Sequence, residues 1–291
     1  MDVAKYVALL ARGLFFALPS KLGDPWEGSW GVADVRSFRE NHAGADPSTI
    51  KSEWTVCYND KTASLEGYGV SCWHRSEYES AALWSLYMPR GFGVAVRSTV
   101  EHVLASLGAS GRKIEPRDVQ YVDYDKERLG DDPRDLLVHK RLSFVHEKEL
   151  RFLVALRNDE CEAIADWRLI LNDRSKRHFS AGIFQSPVRP GPIPARVVTD
   201  PTLVRRATPH GVYLPVDLAV LIQQVYLAPQ APWAVRHAVQ AATEAFGLTR
   251  EVVRETEADM IPPDILALTR LRCCLTSEFS RRPSAAADPG R

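Results

Sequence analysis

A mixed α+β fold around a largely antiparallel sheet, with flanking helices, is what this sequence predicts. Three observations carry that expectation. Strand-like alternation and helix-like spacing interleave along the 291 residues without a regular strand–helix–strand rhythm. Neither a GxGxxG nor a GxxxxGK loop followed by Ser or Thr occurs, which argues against a dinucleotide-binding or P-loop architecture. Hydrophobic residues make up 45% of the chain and charged residues 25%, which excludes global disorder and a coiled-coil rod. A chain this long buries roughly three quarters of its unfolded surface, so it needs no metal or disulfide merely to fold.

The elements follow in order. Val3 to Arg12 reads as a short helix, Gly13 as a turn and Leu14 to Leu18 as a buried strand. Arg12 and Gly13 interrupt what would otherwise resemble the apolar stretch of a signal peptide. Leu22 to Gly28 is a turn by its Asp24-Pro25 and glycine content, with acidic groups flanking Trp26. Asn41 to Thr49 reads as a polar loop. Tyr68 to His74 alternates as a strand, with Val70, Cys72 and His74 on one face and Gly69, Ser71 and Trp73 on the other. Ser76 and Glu79 have capping-box spacing and predict a helix running to about Met88, before Pro89. Gly93 to Arg97 reads as a strand. Ser98 with Glu101 predicts a second cap, on a helix ended by Gly108.

Val119 to Tyr124 is a further strand. Asp132 before Pro133 opens a helix expected to pass through His139, Lys140 and Arg141. Glu149 to Leu156 alternates, with Leu150, Phe152, Val154 and Leu156 as its apolar face, and Ile164 to Leu171 is another strand. Seven prolines between Gln185 and Pro215 predict a long irregular loop. A short helix near Asp217 to Ile222, a strand at Gln224 to Ala228, a helix from Pro232 to Gly247 and a strand at Arg250 to Glu255 close the pattern. The expected organisation is one α+β domain over 1–265, with a C-terminal extension over 266–291 that ends in a flexible tail from Arg281.

Charge and cysteine content bound the setting. Lys plus Arg and Asp plus Glu number 37 each, so no overall field draws the chain to nucleic acid or membrane. The charge is uneven, however. Arg168 to Arg206 holds eight basic residues against Asp173 and Asp200, a basic belt able to meet phosphate backbones or to stand as scattered solvated charge. The five cysteines, Cys57, Cys72, Cys161, Cys273 and Cys274, form no CxxC pair, which fits free thiols and an expected cytoplasmic location. No HExxH-like pairing occurs among the eight histidines, so no metal is expected, and no run reaches the ~18 apolar residues of a membrane span.

The densest polar constellation is Lys140 to Arg151. If a strand begins near Glu147, then Glu147, Glu149 and Arg151 share one face at period two. Two carboxylates ~7 Å apart repel, and the arginine partly offsets that. Such a face can stabilise a cationic sugar in a reaction through an oxocarbenium ion, or it can be a solvated face laced with ion pairs. In the second constellation Ser80, Trp84 and Tyr87 fall on one helical stripe, suited to stacking on a flat ring with one hydrogen bond, or simply to the core. Cys72 and His74 share a strand face and could pair as nucleophile and base, although cysteine commonly serves as a small buried hydrophobe. Asp24 and Glu27 either rim a site or close a tight turn.

Together these segments resemble a bacterial domain-of-unknown-function family. The matching stretches are Leu14 to Phe16, Asp24 to Gly28, Ser71 to His74, Glu79 to Tyr87, Gly93 to Val96, Lys140 to Arg151 and Val216 to Pro229, within roughly Lys5 to Pro263. Their order is distantly similar to the ADP-ribosyltransferase fold. That resemblance implies an ADP-ribosyltransferase-like core, NAD as substrate, and glycosidic transfer to a macromolecule by a toxin or phage-defence effector. It makes Glu149 the stabilising carboxylate, Glu147 the residue that orients the acceptor and Arg151 the group that fixes both or binds phosphate. Ser80, Trp84 and Tyr87 would hold the nicotinamide. Ser71, Trp73, His74, Asp24, Glu27, Lys140 and Arg141 would complete the substrate site. The first strand carries no Arg or His; Arg12 precedes it. A non-catalytic module that binds nucleic acid through Arg168 to Arg206, or a sensor of a defence system, is the alternative.

Overall fold

The structure is a computed structural model that describes residues 1–88, 90–130, 132–165 and 206–256. Among these residues the chain is a mixed α+β assembly built on a six-stranded sheet in the order β4-β7-β2-β1-β9-β8, antiparallel at every pairing. Its strands are β1 (Leu14–Ala17), β2 (Tyr68–His74), β4 (Ile114–Asp118), β7 (Glu149–Ala155), β8 (Ala207–Thr208) and β9 (Gly211–Leu214). A three-stranded sheet joins β3 (Val94–Arg97), β10 (Gln224–Leu227) and β11 (Val253–Arg254). The strands β5 (Gln120–Val122) and β6 (His139–Arg141) pair in parallel as a small separate ribbon. No helix among the described residues is long and apolar enough to cross a membrane.

Local chemistry accounts for the entry to the sheet. Asp2 caps α1 (Val3–Arg12) by accepting from the Lys5 amide at 2.8 Å. Gly13 follows at φ 102°, and a Cβ there would strike the carbonyl of Leu214 on the adjoining strand, so only glycine admits the turn into β1. Phe16, Trp73, Phe152, Val154 and Val212 belong to one apolar cluster on one side of the large sheet, together with α1 and the helix Trp233–Ala245. Val70 and Leu153 belong to a second cluster on the opposite side, with Leu65, Val122, Tyr124 and Leu136 to Val138. That second layer comprises the end of α3 (Pro47–Glu66), β5, and α6 (Pro133–Leu136) with the residues that follow it.

Several expectations are corrected. Ser76 does not open a helix: α4 spans Ala81–Tyr87, and Ser80 caps it by accepting from Leu83 N at 3.3 Å. The next cap is Thr99 rather than Ser98, and α5 covers Val100–Ser106. His139 to Arg141 are the strand β6 and not helix, because α6 ends at Leu136 and the chain then pairs with β5. Glu147 lies in a 3-10 helix, Leu142–Glu147, so β7 starts only at Glu149. Residues 158–165 are helical, which displaces the start of the strand expected at Ile164. The long loop expected to reach Pro215 gives way to β8 and β9 from Ala207 onward. The loop expected from Asn41 to Thr49 is shorter, since α2 (Val32–Asn41) ends at its start and Asp46 already caps α3. The expectations for 166–171, for the loop between 185 and 205, for the basic residues from Arg168 to Arg205 and for 266–291 lie outside the described residues.

Candidate functional site

The register of β2 against β7 builds the site. His74 stands opposite Glu149, Cys72 opposite Arg151, and Trp73 opposite Leu150. Residues directly opposite in an antiparallel pair share a face. His74, Cys72, Glu149 and Arg151 therefore project to one side, and Trp73, Ser71, Leu150 and Phe152 to the other. The apolar side packs as expected, with Trp73 against Phe152 at a centroid distance of 6.3 Å. On the polar side Glu149 and Arg151 are buried, in contact with Glu27 of the 24–28 turn and Lys140 of β6, whereas Cys72 and His74 are exposed.

Five acidic and basic side chains close over each other there. Lys140 Nζ lies 2.5 Å from Glu147 Oε2, 3.1 Å from Glu149 Oε2 and 3.2 Å from Glu27 Oε1. Arg151 donates to both oxygens of Glu149, at 3.0 and 3.1 Å, to Glu27 Oε2 at 2.5 Å and to the carbonyl of Leu137 at 2.6 Å. All five side chains are less than a tenth exposed, and Arg151 is fully buried. Tyr87 donates to Glu147 Oε1 at 2.6 Å. The Glu149 amide donates to the Tyr121 hydroxyl at 2.8 Å. Asp24, itself buried, is gripped by two nitrogens of Arg141 at 2.9 and 3.0 Å. The Phe144 ring lies under both Lys140 and Arg141, at 4.8 and 5.3 Å.

The charges set one another's proton affinity. Burial pushes the Glu149 carboxyl up, but Arg151, then a hydrogen bond from the Cys72 thiol, then Lys140 outweigh it and hold the group below the ordinary carboxylate range. Burial likewise opposes the charge of Lys140, and its three carboxylate neighbours overcome it, so that its ammonium is held above the usual lysine range. Tyr87 is pushed up, first by burial and then by its bond to Glu147, so its hydroxyl stays protonated and donating. Cys72 is exposed by surface area, yet the protein around its sulfur pushes the thiol well up, Glu149 adds to that, and Arg151 only partly opposes it. A thiol held protonated is a poor nucleophile. His74 Nδ1 lies 2.6 Å from the carbonyl of Glu147, an acceptor, so that nitrogen carries the proton and the ring is tied to the backbone rather than to Cys72.

The structure thus gathers Glu27, Lys140, Glu147, Glu149, Arg151, Tyr87 and His74, with Asp24 and Arg141 adjoining through Phe144. It does not gather Ser71, Trp73, Ser80 and Trp84. Ser71 accepts from Trp73 Nε1 at 3.2 Å on the far side of the sheet. The Ser80 oxygen is used as a helix cap. Trp84 is buried and donates to Glu79 Oε2 at 2.9 Å. A cleft of about 430 Å³ lies beside the cluster, lined by Arg75, Ser76, Glu77, Tyr78 and Lys148. Tyr121 and Phe144 belong to the site without having been singled out. Phe144 sits within the Lys140 to Arg151 segment, whereas nothing near Tyr121 in sequence marks it. No group of His, Cys, Asp and Glu among the described residues is arranged to hold a metal ion. No known protein family, curated protein or solved structure matches the chain.

Proposed function

We propose that this protein transfers a glycosyl group from NAD to a macromolecule, with Glu149 as the carboxylate that stabilises the developing sugar cation. In that reaction the bond between the ribose anomeric carbon and nicotinamide breaks, and nicotinamide leaves with the bonding pair as a neutral base. An acceptor nucleophile takes its place and releases one proton. Positive charge on the ribose ring exists chiefly in the transition state, so a carboxylate already ionised and held still acts without reorganisation. The observation that carries this reading is that Arg151 and Lys140 keep a buried Glu149 ionised. Stability alone gives little reason for such a cluster, since apolar side chains of similar volume would commonly serve the fold as well or better. Tyr87 and Lys140 position Glu147 beside it as the group facing the acceptor. Substrate would draw Lys140 from Glu149, and Glu27 and Glu147 would retain it.

One observation favours a second reading. Each carboxylate of the cluster already has a cationic partner, and neither Glu147, Glu149 nor Trp84 lines the 430 Å³ cleft. On that reading the cluster is a structural lock in a non-catalytic module that binds nucleic acid or senses a signal. Calorimetric titration separates the two. The transferase reading expects heat on addition of NAD and free nicotinamide on incubation with cell extract. No NAD heat, with nucleic-acid binding that weakens steeply between low and high salt, would leave the binding module.

A further inference from the structure

We infer that the cleft beside Lys148 holds the adenosine-diphosphate half of the dinucleotide. The inference rests on the proposed function and names where the non-reacting part of its substrate sits. The backbone places the cleft against the reacting end. Arg75 N donates to the Lys148 carbonyl at 2.8 Å, which ties the end of β2 to the start of β7. Lys148 lies between Glu147 and Glu149 in the chain, so its Cα is about 3.8 Å from each of theirs. His74, next to Arg75, stands opposite Glu149. A ribose held at Glu149 would therefore have its diphosphate within reach of this cleft.

The lining matches a nucleotide part by part. Lys148 adopts φ 42° and ψ 56°, a left-handed backbone that costs a side-chain-bearing residue roughly 1 kcal/mol and that glycine would enter freely. The chain nevertheless places a long cation there, and among the described residues that cation makes no ion pair. Arg75 is held to Asp118 through NH1 alone, at 2.6 Å to each carboxylate oxygen, so the rest of its fork is left to a second anion. The Ser76 hydroxyl oxygen accepts from the Tyr78 amide at 3.2 Å, which leaves its proton to donate. Lys148, Arg75 and Ser76 suit the diphosphate. Glu77 offers a carboxylate to the ribose hydroxyls. The Tyr78 ring, 78% exposed, is the most exposed large hydrophobic side chain among the described residues and offers its face to adenine. The depression that these residues line is open to solvent rather than enclosed, which suits an extended diphosphate laid along the surface.

The experiment titrates the full chain with ADP, inorganic pyrophosphate and adenosine. ADP should bind, pyrophosphate more weakly, and adenosine weakest. Lys148→Gly removes the charge and relaxes the backbone, so the protein should melt no lower while ADP affinity falls about tenfold or more, as for a lost hydrogen bond to a charged group. Asp118→Asn frees Arg75 and should tighten ADP several-fold. Tyr78→Ala should weaken ADP and leave pyrophosphate unchanged. Absence of ADP binding, adenosine as tight as ADP, or ADP affinity indifferent to Lys148→Gly each overturns the inference. Its failure is distinct from that of the transferase reading. ADP bound in this cleft with no nicotinamide release sinks the transfer reaction and keeps the nucleotide site. Nicotinamide release with an unchanged KM in Lys148→Gly does the reverse.

Discussion

Two clusters in this molecule hold the same charges at different depths. Glu115, Asp132 and Asp135 meet Arg117 and Arg134 on the surface, with side chains between 28% and 41% exposed and contacts of 2.6 to 3.3 Å. Glu27, Glu147 and Glu149 meet Lys140 and Arg151 in the interior, at contacts of 2.5 to 3.2 Å and no more than 9% exposure. Water screens the first set, so each of its pairs contributes at most about 1 kcal/mol. The second set has exchanged water for its own partners. Losing one member strands the others, at a cost of about 3–5 kcal/mol. Contact distance is nearly the same in both, and depth decides what the charges are worth.

The largest effect expected from that difference is at Arg151. Arg151→Met should destabilise the fold by about 3–5 kcal/mol in urea unfolding, since it leaves the Leu137 carbonyl without its donor and three buried carboxylates to share the single charge of Lys140. Lys140→Met should cost less, because Arg151 still pairs two of the three carboxylates. A loss under 1 kcal/mol for Arg151→Met would place the buried cluster in the same class as the surface one.

Acid should distinguish the clusters next. The folded pKa of Glu149 is depressed, so its contribution is complete above the unfolded value of about 4.3 and is lost as pH falls through the lower folded value. Unfolding measured from pH 6 down to pH 2 should steepen below about pH 4.3 in the wild type. Glu149→Gln should flatten that limb. The Asp132 carboxyl is also depressed, first by its bond to Arg134, yet it is solvated, so Asp132→Asn should leave the acid limb nearly as it was. The smallest effect is at the surface. Arg134→Ala should cost under about 1 kcal/mol, and the difference should shrink as salt rises towards about 1 M, where the Debye length falls to about 3 Å. The Arg151→Met cost should change little over the same range.

Much of the sheet was legible in the residues. Alternation marked Tyr68 to His74 and Glu149 onward, and the register pairs those two stretches residue for residue. Asp132 before Pro133 marked a helix start that the structure keeps, and the short helix expected near Asp217 to Ile222 is found at Leu218–Leu221. What escaped was decided by distant or competing partners. β6 is three residues long and exists because β5 lies beside it. Ser76 was expected to open a helix to Met88, and Ser80 caps α4 four residues later instead. Alternation placed Glu149 and Arg151 together but could not say what covers them. Glu27 reaches Arg151 across 124 residues, and Asp24 reaches Arg141 across 117. The aromatic stripe divided for a similar reason: Tyr87 reaches Glu147, whereas Trp84 turns to Glu79.

The most direct test of the account is the rate of nicotinamide release from NAD by wild type and by Glu149→Gln, each shown to be folded by its thermal melt. Glu149→Gln keeps the size of the side chain but removes its charge and turns one acceptor oxygen into an NH2 donor facing Arg151 or Lys140, so the melt should fall, and the rates are compared below it. The account predicts a fall in kcat on the order of a hundredfold or more, as when other electrostatic stabilisers are removed. Wild-type release that continues at a comparable rate in Glu149→Gln would contradict it.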